Sequence, residues 1–209
     1  MESALSVGAD DPGLRLIETL GWTGHDFPRL GLHLARLARS AARLDWPCDL
    51  PAAEAALRAA APSDPARMRL TLDATGAVAV QASPPPPARP LWSVTLAPQR
   101  LSSTDLWLSL KTTRRPAYDA ARAALPSGID ESIFQNEHGQ VCDGTITSVF
   151  FDRGQGLRTP PLTCGLLPGV LRAELALPEE VLLATDLPLV RLWVGNSLRG
   201  MISASFTLA

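Results

Sequence analysis

The spacing of apolar and polar positions changes several times along the chain, and each spacing predicts an element. From Pro28 to Trp46, "PRLGLHLARLARSAARLDW" sets Leu30, Leu34, Leu37, Ala41 and Leu44 on one helical stripe, with Arg36, Arg39 and Arg43 off it. Asp49 ahead of Pro51 marks a second helix start, and its alanine-rich run stops at Pro62. "RMRLTLDATGAVAVQA" alternates with the period of a strand and turns at "DATG", which predicts a hairpin. "SPPPPARP" is stiff and extended and ends that pattern. "LWSVTLA" resumes as a strand, and "PAYDAARAAL" is a short helix opened by Pro116. "ESIFQNEHGQVCDGTITSVFF" predicts two strands around the turn "EHGQ". "GLLPGVLRAEL" is a loop running into a helix, and "LVRLWVGNS" and "MISASFTL" are strands separated by a polar turn. Helices and strands mix without a βαβ rhythm or an internal repeat, so an α+β fold with mainly antiparallel sheets is expected. The natural division is an N-terminal lobe over residues 1–90 and a C-terminal lobe over 91–209.

Composition narrows the function more than the fold. With 209 residues, of which 46% are hydrophobic, the chain can build one large core or two small ones. A net charge of -2 with scattered basic residues argues against nucleic acid or an anionic membrane as the main partner. No apolar stretch approaches the roughly 20 residues of a membrane span. "MESALSVGADDPG" lacks the basic and apolar regions of a secretory signal, and a cytoplasmic protein is expected. Cys48, Cys142 and Cys164 are odd in number and lack ligand spacing, so they read as reduced thiols. His25, His33 and His138 are too scattered for a metal site.

The chemistry enters at "LSLKTTRRPAYD". Lys111 is the only lysine among 19 strongly basic residues; all the others are arginine. An arginine-rich composition by itself needs no function, and a single lysine can be a survivor on a solvated face. Arginine, however, does not deprotonate in proteins, whereas lysine can, and its neutral amine attacks carbonyl carbons. A position that needs such a nucleophile cannot become arginine. Lys111 follows the apolar "LWLSL" and precedes Arg114 and Arg115. Burial and neighbouring cations both disfavour an ammonium, so both are expected to lower its pKa.

Six segments in order resemble a known family: "LIETLGW", "LGLHLARLARSA", "LKTTRRPAYDAAR", "VCDGTITSVFF", "TPPLTCGLLPGVLR" and "GNSLRG". Together they resemble fold-type IV enzymes dependent on pyridoxal 5'-phosphate (PLP), the class IV aminotransferase superfamily. Within it the likeness is to 4-amino-4-deoxychorismate lyases, especially those fused to aminobenzoate synthase subunits. The resemblance implies a two-lobed α+β fold, with a smaller N-terminal α/β lobe and a larger C-terminal lobe of mainly antiparallel strands. It places the active site between the lobes of a homodimer.

The resemblance also implies roles for particular residues. Lys111 forms the internal aldimine with PLP. Arg36 grips the cofactor phosphate, for which a planar guanidinium gives two parallel bonds; otherwise it is one more helix arginine. The backbone amides of Val170 and Leu171, after Gly169, form a second phosphate grip, and Leu167 lies against the ring. Asn196 and Ser197 form a third, although "GNSLRG" is also an ordinary polar turn. Asp143 stands where relatives carry glutamate and pairs with the pyridine nitrogen. Its stem is shorter by one bond, about 1.5 Å, so either its strand sits closer or a water bridges the gap. Arg114 replaces an asparagine of many relatives, which leaves the ring-hydroxyl partner unassigned. Tyr118, the only tyrosine, is expected to pack in the core. Thr19 or Thr112 protonates the leaving group, and Arg199 meets a substrate carboxylate.

The reaction implied is elimination of the enolpyruvyl group of 4-amino-4-deoxychorismate to yield pyruvate and 4-aminobenzoate, on the folate branch. A transaminase acting on branched-chain or D-amino acids shares every cofactor contact and is the alternative. A non-catalytic PLP-fold binding protein is the third reading. The implied partners are a small-molecule amine, a second copy of the chain and an aminodeoxychorismate synthase subunit.

Overall fold

The computed structural model describes residues 11–208 together with Leu5 and Gly8, so most of "MESALSVGADDPG" lies outside the described residues. The fold is α+β. It divides into two compact units, the first reaching to Pro87 and including Leu110–Arg114, the second holding Ala88–Ser109 and the described residues from Arg115 onward.

In the first unit, strands β1 (Leu16–Trp22), β2 (Ala66–Leu72) and β3 (Val78–Ser83) form an antiparallel sheet in that order. The alternation read in "ARMRLTL" is real, with Ala66, Met68, Leu70 and Leu72 buried. Its hairpin turns because Asp73 Oδ1 accepts the N–H groups of Thr75 (2.9 Å) and Ala77 (3.1 Å), with Gly76 at φ 82. Helix α1 (Leu30–Arg43) buries Leu37 and Ala41 of its apolar stripe. Helix α2 (Leu50–Ala59) is capped by Asp49, whose side chain accepts from the Ala52 N–H at 3.0 Å.

The segment around Lys111 departs from the expected division. A boundary after residue 90 assigned it to the second part of the chain, yet it is stitched to the start of β1. The Ile17 N–H donates to the Lys111 carbonyl (2.8 Å), Thr113 N–H to the Arg15 carbonyl (2.9 Å), and Arg15 N–H to Thr113 Oγ1 (3.0 Å). Lys111 therefore belongs to the first unit.

The second unit is built on a six-stranded sheet. Its strands are β4 (Leu91–Leu96), β5 (Glu131–Gln135), β6 (Val141–Gly144), β7 (Ser148–Asp152), β8 (Arg191–Asn196) and β9 (Gly200–Phe206). Their order is β6-β5-β4-β9-β8-β7, and β4 runs parallel to both its neighbours while the other pairs are antiparallel. One face buries Trp92, Val94, Ile133, Val149, Phe151 and Val194. A second apolar group gathers Leu101, Phe134, Cys142, Cys164 and Leu166, with Tyr118 of helix α3 (Pro116–Ala123) packed against it.

"ESIFQNEHGQVCDGTITSVFF" forms three strands, where two were expected. The break at 145–147 has a single cause. Glu131 is fully buried and its carboxylate collects the N–H groups of Thr145 (3.0 Å) and Ile146 (3.1 Å) and the hydroxyls of Thr147 (2.9 Å) and Thr145. The Thr145 N–H is shared between that carboxylate and the Ser132 carbonyl (3.2 Å), whereas the Ile146 N–H is turned from the strand ladder to the carboxylate. Gly144 is required beside it, because a Cβ there would lie 2.8 Å from Glu131 Cδ and 2.5 Å from Thr147 Oγ1.

Candidate active site

Arg36 lies off the apolar stripe of α1 and is nevertheless buried, at 5% exposure. Its burial is explained by Glu18 on β1, which accepts Nε at 2.8 Å and Nη2 at 2.6 Å, while His33 Nδ1 meets the same carboxylate at 2.6 Å. Burial acts to raise the Glu18 pKa, but the Arg36 charge and the bonds from Arg36 and His33 outweigh it and hold the carboxyl below the usual range. The paired edge expected to grip phosphate is thus given to Glu18 at Nε and one Nη2 hydrogen.

Lys111 is half-buried, its backbone tied to β1 as described. Behind it Thr112 is buried, with its hydroxyl accepting the Arg114 N–H (3.1 Å) and donating to the Arg114 carbonyl (3.4 Å). That hydroxyl closes a turn. Thr19 sits on β1 opposite Arg69. Of the two cations expected beside the lysine, Arg114 is exposed, and Arg115 in the second unit pairs with Asp119 at 2.7 Å.

In the second unit Asp143 is the next-to-last residue of β6 and is buried. The Tyr118 hydroxyl donates to its Oδ1 at 3.0 Å, and the Leu167 N–H donates to its Oδ2 at 3.2 Å. Tyr118 was expected only to pack. Its ring does pack, edge-on to Phe134 with centroids 5.0 Å apart, but its hydroxyl serves the carboxylate. Burial first, then the Asp143 charge, pushes the phenol far above its ordinary value of 10.

Two glycines shape the second unit's other candidates. Gly169 precedes the short helix α4 (Val170–Leu175), and a Cβ on it would lie 2.5 Å from Ser148 Oγ. At Gly195 a Cβ would lie 2.5 Å from the Gly200 carbonyl oxygen and 2.8 Å from Leu171 Cδ2. The start of α4 therefore lies against β8, with the Leu171 side chain beside Gly195. The first N–H groups of α4 have no acceptor within the helix. Asn196 is committed to the turn itself: Oδ1 accepts from Leu198 (3.1 Å) and Arg199 (3.0 Å), and Nδ2 donates to the Ile146 carbonyl (3.1 Å). Arg199, expected to meet a substrate carboxylate, lays its guanidinium over Trp92, 5.1 Å from the ring centroid.

These residues fit PLP by their chemistry. Side chains are excluded at Gly169, beside the Ser148 hydroxyl and at the N-terminal end of α4, whose first N–H groups suit a phosphate. Asp143 is a buried carboxylate of the kind that pairs with a ring N–H. Sequence reasoning missed Glu18, His33, Ser148 and Glu131, all buried polar residues. The one available signal was a charged residue within an otherwise apolar strand, as in "LIETLGW".

A helix start crowded at a glycine and a buried carboxylate in the same unit are an arrangement suited to enzymes that hold a phosphorylated cofactor. Residues 15–205 match the amino-transferase class IV model, and the chain belongs to that family, whose enzymes depend on PLP. A proposed amino-acid aminotransferase from Mesorhizobium loti is similar at 42% identity and TM-score 0.89, over 93% of this chain and 100% of that one. 4-Amino-4-deoxychorismate lyase from Pseudomonas aeruginosa is similar at 25% identity and TM-score 0.82, over 100% of this chain and 87% of that one. A proposed branched-chain amino acid aminotransferase from Thermotoga maritima shares the fold at 21% identity and TM-score 0.78, over 99% of this chain and 82% of that one. No curated protein matches the chain. Among the described residues no helix is long and apolar enough to cross a membrane, and no cluster of side chains could hold a metal ion.

Proposed function

We propose that this protein is a PLP-dependent 4-amino-4-deoxychorismate lyase that releases pyruvate and forms 4-aminobenzoate. The observation that carries the reading is the likeness to the Pseudomonas aeruginosa lyase along the whole of this chain. Lys111 would hold the cofactor at its aldehyde carbon, Asp143 at the ring nitrogen, and Arg36 with the N–H groups of Val170 and Leu171 and the Ser197 hydroxyl at the phosphate. Leu167 would lie against the ring. Bound there, PLP supplies an electron sink. The chain's own part is proton transfer: the neutral Nζ of Lys111 takes the proton from the substrate carbon that bears the amine, and the enolpyruvyl group leaves as the ring becomes aromatic. A lysine does this only when deprotonated, so arginine cannot replace it.

A second reading, transamination of an amino acid, is favoured by the 42% identity to the Mesorhizobium loti protein. One set of assays separates the two. Purified protein with PLP and 4-amino-4-deoxychorismate should release pyruvate, and amino donors with 2-oxoglutarate should give no glutamate. Lys111→Ala and Lys111→Arg should both lose the visible cofactor band and lower turnover by about 10³-fold or more. Glutamate formation without pyruvate release would overturn the lyase in favour of the transaminase.

A further inference from the structure

We propose that Tyr118 is a positioning residue for the cofactor: by holding Oδ1 of Asp143 it orients that carboxylate and keeps it charged toward the ring nitrogen. The inference rests on the proposed role of Asp143 and adds a residue to it.

An aspartate carboxylate can rotate about the bond that joins it to Cβ, and it pairs well with a ring N–H in only some orientations. Here the two oxygens are held by different elements, Oδ1 by the Tyr118 hydroxyl of α3 at 3.0 Å and Oδ2 by the Leu167 N–H at 3.2 Å. Two donors on opposite oxygens stop the rotation. Both bonds are also stronger to a carboxylate than to a carboxylic acid, so they favour the anion that a protonated ring needs.

The phenol is itself well fixed. Its ring meets Phe134 edge-on at 5.0 Å, and the Arg115 guanidinium lies 5.5 Å over its centroid. Arg115 is in turn held by Asp119 at 2.7 Å and by the Thr145 carbonyl at 2.6 Å, two residues beyond Asp143. Deep burial and the adjacent anion keep Tyr118 protonated across the physiological range, so it remains a donor.

Tyr118→Phe removes the hydroxyl and keeps the ring. The test is a double-mutant cycle on the PLP dissociation constant, read by spectral titration of the apoprotein. Tyr118→Phe should weaken binding roughly tenfold, as expected for losing a hydrogen bond to a charged group. In an Asp143→Asn background the same change should alter it by less than about twofold. Weakening below about twofold in the unmodified background, or an equal loss in both, overturns the inference.

A second measurement needs no mutation. Tyr118 is the only tyrosine, so growth on 3-fluorotyrosine labels it alone. Its fluorine resonance should shift when PLP is added. A resonance indifferent to PLP overturns the inference alone, whereas failure of the unmodified protein to bind PLP overturns the proposed function and this inference with it.

Discussion

Buried charge in this protein is placed where a partner has already neutralised it. The Glu18 carboxylate lies within 3.0 Å of polar atoms of both His33 and Arg36, with at most 5% exposure for each of the three. Such a cluster contributes little beyond an apolar replacement, but removing one member strands the others. Glu18→Gln is therefore expected to cost about 3–5 kcal/mol, measured by urea unfolding at pH 7. The pH dependence has a definite sign. The folded state holds the Glu18 carboxyl below its ordinary 4.5, so it binds that proton more weakly than the unfolded chain does. The stabilisation is complete above about pH 4.5 and is lost as pH falls through the folded value. A melting temperature that drops in acid for the native chain should drop less for Glu18→Gln; an unchanged acid limb would refute the assignment.

Elements here are bent and joined by single residues. Glu131 ends β6 by capturing the backbone at Thr145 and Ile146, and so sets Asp143 at a strand end with β7 beginning again at Ser148. Gly169 sets the start of α4 against Ser148 of β7, Gly195 sets β8 against Leu171 and Gly200, and their substitutions are expected to behave differently. At Gly195 the obstacle is the backbone of Gly200, 2.5 Å from an added Cβ. Gly195→Ala should cost about 1–3 kcal/mol, seen as a lower melting temperature of the apoprotein. At Gly169 the obstacle is the Ser148 hydroxyl, which can rotate away. Gly169→Ala should spare stability and weaken PLP instead, with Ser148→Ala in the same chain relieving the crowding, because Ser148 Cβ is an ordinary 3.8 Å from the added atom. Equal losses of stability at both glycines would count against this account.

At the scale of the whole molecule, two units are defined by contacts that ignore chain order. Leu110–Arg114 joins the first unit although it lies between stretches of the second. Its hydrogen bonds to Arg15 and Ile17 close a loop of nearly a hundred residues, a long-range pairing that slows folding more than it weakens the product. A ligand that binds only the folded chain adds stability by mass action. At free PLP about 100 times its dissociation constant the gain is about 2.7 kcal/mol. For a chain of this size that corresponds to a rise of roughly 5–11 °C in melting temperature. Calorimetry with and without PLP checks it, and no rise at saturating PLP would contradict the cofactor reading.

The sequence by itself determined the local elements and the family. Period and turn chemistry located α1, the β2–β3 hairpin with its Asp73 turn, α3 after Pro116 and the β8–β9 pair, because these depend on neighbours within a few residues. The order of motifs carried the family through "LKTTRRPAYDAAR" and "GLLPGVLR". Tertiary structure alone decided which polar residues are buried and whom they meet. Arg36 is off the apolar stripe of its helix, yet it is buried because a carboxylate 18 positions earlier lies across from it. Tyr118 offers its hydroxyl to Asp143, 25 positions later, and the long "VCDGTITSVFF" strand is cut by Glu131. Burying charge is permitted only where a partner waits, and that partner is fixed by the fold, which no local period records.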